Sequence, residues 1–269
     1  MPSTRVDAAT VDAATSSARH FDMNSLDITD PRTIRAGPLT AGIFDVDGVL
    51  LASPHEQAWR EALSGFADPV RFTTAIYQAQ VAGKPRLSGA LAALEALGVP
   101  NATQLAVRYA QVKQERLEEL IKCGRVAAFP DALRFVQALA SLDFPCAAAS
   151  SSKNANQMMR SIHLASGMSL LDAFKVNVCG RDLPHGKPSP DIFLLAAREL
   201  GVAPMNCLVV EDAPAGIKAA RAGSMTALGI ARLRDTAALL ASGADLVVTS
   251  LDQIAVDDLS GGRLCKHAT

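Results

Sequence analysis

The sequence predicts an α/β protein: a parallel sheet covered by helices, interrupted by one long all-helical insertion. Two observations carry this. From Gly42 onward, short apolar runs alternate with longer segments of helical periodicity, as in strands and their covering helices. Between the first and second apolar runs, residues 53–128 are helical in pattern throughout. A chain of 269 residues is long enough to bury a sizeable core in one large domain or two smaller ones.

Residues 1–37 differ from the rest. They are rich in Ala, Thr, Ser and Asp and repeat Val-Asp-Ala-Ala-Thr at 6–10 and 11–15. They contain no apolar targeting core, and their aspartates argue against a transit peptide. They read as a mobile N-terminal extension. The first strand is expected at 41–46. Helices follow at 55–66, 71–80, 87–97 and 102–122, where Leu105, Val112, Leu117, Leu120 and Ile121 punctuate a charged sequence. Glu115, Arg116, Glu118, Glu119 and Lys122 read as its solvated face. Beyond the insertion, strands are expected at 145–149, 175–179, 206–210, 226–230 and 245–249. The helices between them are expected at 130–142, 153–163, 190–200, 214–222 and 235–241. This divides the chain into an extension (1–37), a core (38–52 and 129–269) and a helical cap (53–128).

Composition narrows the function classes. The net charge of −1 and a pI near 6.5 supply no global field to recruit nucleic acid or an anionic membrane. No apolar run approaches the roughly 18 residues a membrane span needs. Five scattered cysteines with no Cys-x-x-Cys suit free thiols in a reducing compartment, hence a cytoplasmic protein. Cys146 and Cys207 fall in predicted strands as inert core residues. Aromatics make up only 4%, so the core is aliphatic.

The chemistry concentrates at the ends of predicted strands, where open α/β sheets bind ligands. Asp45-Val46-Asp47-Gly48-Val49-Leu50 sets two carboxylates on the turn after the first strand. One acid could attack an electrophile while the other moves protons. Alone, the hexapeptide reads equally as a strand followed by a polar turn. Ser150-Ser151-Ser152-Lys153-Asn154 ends the next strand with hydroxyls that could bind an anion or cap a helix. Lys187, in Gly186-Lys187-Pro188-Ser189-Pro190-Asp191, could hold a phosphate or stand on the surface. Glu211-Asp212 follows Leu208-Val209-Val210 as hard-cation ligands would, or as acids favouring a helix dipole. Taken together in this order, these groups are the parts of phosphoryl transfer.

In this arrangement the chain resembles the haloacid dehalogenase-like superfamily, with Asp45-x-Asp47-Gly48-Val49-Leu50, Ser150, Lys187 and Glu211-Asp212 matching its four motifs in order over residues 41–250. The resemblance implies a Rossmann-like three-layer core with an inserted all-helical cap. It implies Asp45 as the nucleophile that becomes an aspartyl-phosphate and Asp47 as the acid and base. Ser150 and Lys187 would hold the transferring phosphoryl. Mg²⁺ would be bound by Asp45, the backbone carbonyl of Asp47, and Asp212, with Glu211 nearby. His55-Glu56-Gln57-Ala58-Trp59 and Gly186-Lys187-Pro188-Ser189-Pro190-Asp191-Ile192-Phe193 are similar to segments of the β-phosphoglucomutase-like branch. By that likeness His55 gates Asp47, while Gly83, Lys84, Arg86, Ser151 and Asn154 contact substrate. Arg86 could grip a second, non-reacting phosphate with its planar fork. Trp59 reads as cap packing, and His163 and His185 as structural or surface residues.

The sequence departs from the mutase pattern in three places. The link Leu51-Ala52-Ser53-Pro54-His55 is short, Asp131 stands where glycine is common, and no second cap lysine is placed. The expected activity is a Mg²⁺-dependent phosphatase of a small phosphorylated metabolite, most simply a sugar phosphate. A β-phosphoglucomutase-type isomerase is the alternative, and a phospho-accepting receiver module a more distant one. The expected state is a monomer or weak dimer.

Overall fold

The computed structural model describes residues 38–267, so the extension read at 1–37 lies outside the described residues. In chain order the elements are β1 (Ala41–Phe44), β2 (Leu51–Ala52), α1 (His55–Glu61), α2 (Thr74–Ile76), a π-helical turn (Tyr77–Val81), α3 (Arg86–Ala96), α4 (Ala102–Lys122), β3 (Ala127–Ala128), α5 (Pro130–Ser141), β4 (Cys146–Ala148), α6 (Ala155–Arg160), β5 (Val176–Asn177), α7 (Asp191–Leu200), β6 (Cys207–Glu211), α8 (Pro214–Ala222), β7 (Thr226–Ile230), α9 (Thr236–Ala241), β8 (Leu246–Val248) and α10 (Val256–Ser260). Six strands form one parallel sheet in the order β5-β4-β1-β6-β7-β8. The α/β class and the inserted helical cap are as the alternation predicts.

Side chains alternate across β1. Ala41 and Ile43 join one apolar layer with Ile192, Phe193 and Ala196 of α7 and Ile217 of α8. Phe44 enters the opposite layer with Phe135 and Leu139 of α5 and Met158 of α6. A strand buried on both faces must be apolar throughout, which is why β1 and β6 read as continuous apolar runs. The flanking helices follow from the same constraint. In α5, Ala132, Phe135, Val136 and Leu139 are buried on one stripe behind Pro130 at the first helical position. Helix α7 ends on Gly201, whose left-handed backbone (φ 73°) caps it.

The cap has a core of its own. Trp59, Leu63, Phe72, Leu94 and Tyr109 cluster there, and the Tyr109 hydroxyl donates to the Trp59 carbonyl at 2.7 Å. Among the described residues no helix is long and apolar enough to cross a membrane.

Five local expectations are corrected, and one strand pair is added. The helix expected at 71–80 is broken. Phe72 is drawn fully into the cap core, and Thr73 restarts the helix by accepting from Ile76 N–H at 3.2 Å. The chain then continues as α2 and the π turn. The helix expected at 55–66 stops at Glu61, ahead of Gly65 at φ 90°. The helix expected at 153–163 is confined to α6, and the strands near 145 and 175 shrink to three and two residues. The antiparallel pair β2–β3, unforeseen, is too short for any periodicity to show.

Phe44 is fully buried and packs edge-on to Phe135 (6.0 Å) and Phe174 (5.8 Å). Phe44→Ala should cost about 3–5 kcal/mol, read from urea unfolding.

Candidate active site

β1, β4 and β6 are neighbours, and the strand order reverses at β1, so their carboxyl ends converge at the switch point of the sheet. Ile43 pairs with Val209 and Phe44 with Val210. Asp45 and Glu211 therefore emerge at matching heights. Between them lies the Lys187 ammonium, 2.5 Å from Asp45 Oδ1 and 2.5 Å from Glu211 Oε1, with its side chain fully buried. The ammonium also stands 4.8 Å from the Phe193 ring centroid. The other Glu211 oxygen accepts from the backbone N–H groups of Asp212 and Ala213, both at 3.0 Å. Both Glu211 oxygens are thus engaged in hydrogen bonds.

Burial opposes the charge on Lys187, but Asp45 and Glu211 outweigh that and hold its pKa above the usual lysine value. Asp45 is pushed up to about 7, first by burial and then by the carboxylates of Glu211 and Asp47, against the pull of Lys187. The ammonium keeps its proton, and the excess negative charge falls on the carboxylates. Asp212 is raised for the same reasons.

Asp47 sits two residues past Asp45 because Gly48 turns the chain at φ 87°. A Cβ there would lie 2.0 Å from Asp212 Oδ2, so only glycine lets the turn close against that carboxylate. Ser150 Oγ donates to Asp47 Oδ2 at 3.2 Å and accepts from Ser152 N–H at 3.0 Å. Asp47 Oδ1 is buried without a hydrogen-bond partner. His55 Nε2 lies 3.4 Å from that oxygen and 3.2 Å from Ser152 Oγ. Lys113 Nζ lies 2.8 Å from His55 Nδ1, and when protonated it is a donor only, which then puts the imidazole proton on Nε2. Burial lowers His55 to about 4, so the ring is neutral near pH 7.

Do these residues fit a metal? Four carboxylates (Asp45, Asp47, Glu211 and Asp212) face one ammonium, the acids are oxygen donors, and one buried Asp47 oxygen is unpartnered. That donor set suits a hard divalent cation of the Mg²⁺ kind. Among the described residues no three His, Cys, Asp or Glu side chains form a ready cage. Mg²⁺ does not need one, because it keeps waters and takes one or two carboxylates beside substrate phosphates.

The cap lies over these groups and encloses a cavity of about 480 Å³ lined by both parts. Ser151 Oγ donates to the Gly83 carbonyl at 3.3 Å, and Gln114 and Asn154 exchange amide contacts at 3.3 and 3.4 Å. Pro85 packs so closely on Gly186 that a Cβ there would stand 1.9 Å from its ring. Gly83, Lys84 and Arg86 line the cavity from the cap, with Arg86 exposed at its edge. Trp59 is packing, as expected: its ring stacks near Tyr109 and beneath the Lys113 ammonium, 4.7 Å from the centroid. His185 is exposed and bonded to Asp191.

Sequence reasoning missed Lys113, Tyr77, Gln78 and Arg232, all cavity-lining. Lys113 left a signal. It falls on the buried stripe of α4 with Tyr109, Leu117 and Leu120, where an unpaired lysine has no business packing. Burial lowers it to about 7. Arg232 donates to the carbonyls of Gly48 and Val49 and to Asp131 Oδ2, at 3.4, 3.1 and 2.7 Å.

A family model of haloacid dehalogenase-like hydrolases matches residues 40–223. The chain belongs to this family. Within the haloacid dehalogenase-like hydrolases it falls in the β-phosphoglucomutase-like branch, and it is an enzyme of the phosphatase or phosphomutase kind. It is 30% identical over 241 residues to a β-phosphoglucomutase of Mycobacterium tuberculosis, covering 80% of this chain and 90% of that one. It is 32% identical over 200 residues to the fructose-1-phosphate phosphatase YqaB of Escherichia coli, covering 70% and 94%. A solved β-phosphoglucomutase from the archaeon Pyrococcus sp. strain ST 04 superposes with a TM-score of 0.64 at 31% identity, covering 82% of this chain and 99% of that one.

Two predictions follow from the site's geometry. Gly48→Ala should lose more than about 1 kcal/mol of stability by urea unfolding, and at least about tenfold in phosphate-ester turnover. The second concerns pH. His55 binds a proton near 6.5 when unfolded but only near about 4 when folded, so its contribution is present above pH 6.5 and lost as pH falls toward 4. The stability of the parent minus that of His55→Gln should therefore fall by about 3 kcal/mol between pH 6.5 and 4. A flat difference across that window would show that the ring is not held neutral.

Proposed function

We propose that this enzyme is a Mg²⁺-dependent phosphatase of small phosphorylated metabolites, with sugar phosphates as its substrate class and an aspartyl-phosphate as its intermediate. One observation carries the reading: Asp45 and Asp47 share the turn after β1, the first on the Lys187 ammonium and the second on the Ser150 hydroxyl. The Asp45 carboxylate attacks phosphorus, and the ester P–O bond breaks. The departing oxygen takes a proton from Asp47, whose partners are supplied by both core and cap. Asp47 then removes a proton from water, which attacks the acyl phosphate. Inorganic phosphate leaves, and Asp45 is regenerated. Lys187, still paired with Glu211, and Ser150 would extend donors to the phosphoryl oxygens.

Asp45, the Asp47 carbonyl and Asp212 would hold Mg²⁺, with Glu211 reserved for Lys187. The cation would neutralise charge on the phosphoryl oxygens. The cap residues Lys84, Arg86 and Lys113 give the cavity wall a positive character suited to an anionic ester.

A second reading is a β-phosphoglucomutase-type isomerase, in which a sugar hydroxyl replaces water as acceptor. The polar links between cap and core at Ser151–Gly83 and Asn154–Gln114 favour it, since a mutase needs the cap held over its intermediate. The M. tuberculosis and E. coli relatives carry one name of each kind.

Incubation with a panel of sugar phosphates, including β-glucose 1-phosphate, tests both readings when free phosphate and glucose 6-phosphate are measured together. Phosphate release is expected, stopped by a chelator and restored by Mg²⁺. Asp45→Asn should reduce turnover at least about 10³-fold. Full activity in that variant would remove Asp45 as nucleophile.

A further inference from the structure

Among the described residues three buried side-chain oxygens lack a hydrogen-bond partner: Asp47 Oδ1, Gln78 Oε1 and Asp235 Oδ1. Asp47 and Gln78 line the same cavity. The Asp47 oxygen has a use in proton transfer. The Gln78 oxygen has none in the chemistry described above. A buried amide oxygen without a donor is destabilising, and native proteins keep few of them. At a binding site the deficit is made good when a ligand brings the donor.

The backbone places Gln78 there by an irregular device. Ala82 N–H donates to the Tyr77 carbonyl at 2.9 Å, closing a π-helical turn over Tyr77–Val81. Such turns insert an extra residue into a helix and recur at functional sites. This one runs directly into Gly83, which meets Ser151 of the core.

The chemistry of the missing donor can be narrowed. A phosphoryl group at neutral pH offers acceptors, so Gln78 does not read the phosphate. An ammonium on the substrate would pair with the cavity's carboxylates, Asp45, Asp47 and Asp212, rather than with a neutral amide. A hydroxyl remains. We infer that Gln78 accepts a hydrogen bond from a hydroxyl on the substrate's carbon skeleton, and so selects polyhydroxylated phosphate esters. The inference rests on the phosphoryl-transfer reading above and specifies its substrate class.

The test compares sugar and polyol phosphates with para-nitrophenyl phosphate, whose leaving group has no skeleton hydroxyl. The readout is the ratio of kcat/KM for the best hydroxylated ester to that for the nitrophenyl ester. Gln78→Met keeps the length and removes the acceptor, and should lower this ratio roughly 10- to 100-fold. Gln78→Glu keeps an acceptor and should hold the ratio within a few-fold of the parent. A parent ratio near one, an unchanged ratio in Gln78→Met, or equal losses in both variants would overturn the inference. A purely structural role would lower both substrates together and leave the ratio where it was. If nitrophenyl phosphate turnover proves independent of Asp45, the phosphoryl-transfer reading fails first and takes this inference with it.

Discussion

The Lys187 ammonium sits fully buried between two carboxylates, one at the end of each of two neighbouring strands. Removing one partner from such a group costs about 3–5 kcal/mol, because the remaining charge stays buried and unpaired. The parallel register of β1 and β6 brings Asp45 and Glu211 level with each other, and α8 fixes Glu211 further through the N–H groups that precede it. Asp45 is thereby held by the sheet rather than by a loop. The same arrangement leaves Asp212 and Asp47 facing uncompensated negative charge. With four carboxylates facing one ammonium, the site favours positive charge brought from elsewhere.

The cap's contribution is specific. His55 and Lys113 both belong to it, and they reach Asp47 only because the cap lies down on the core. The neutral imidazole offers Nε2–H toward Asp47 and Ser152, while the lysine fixes which nitrogen carries the proton. Opening the cap would withdraw both residues from Asp47. The surroundings of Asp47 are therefore shared between core and cap, whereas Asp45 is held by Lys187 of the core.

How much of this could be read from the sequence follows from what each residue is buried against. β6 and β7 read correctly because strands covered on both faces must be apolar at every position. The groups Asp45, Ser150, Lys187 and Glu211-Asp212 could be picked out because polar clusters at the ends of such strands stand out, and the structure brings them together. The π turn could not be read. Its residues have ordinary helical character and carry no mark of the irregularity. Lys113 was legible only as a violation: helical spacing put a charge where apolar residues belong. Arg232 left no local mark, because its role depends on three segments distant in sequence.

Those three segments explain the unusual Asp131. Its Oδ2 accepts from Arg232 Nη1, Ser250 Oγ and Leu251 N–H, at 2.7, 3.1 and 2.8 Å. Arg232 lies over the Phe129 ring, 4.0 Å from its centroid, and reaches the carbonyls of Gly48 and Val49 on the turn that carries Asp47. Phe129 N–H donates to Leu50, extending the short β2–β3 pair through which the chain enters and leaves the cap. The root of the cap and the turn that carries Asp47 thus share one guanidinium. A glycine at 131 could not hold it. The aspartate ties the root of the cap to the turn beneath it through a charge-assisted pair rather than through apolar packing alone.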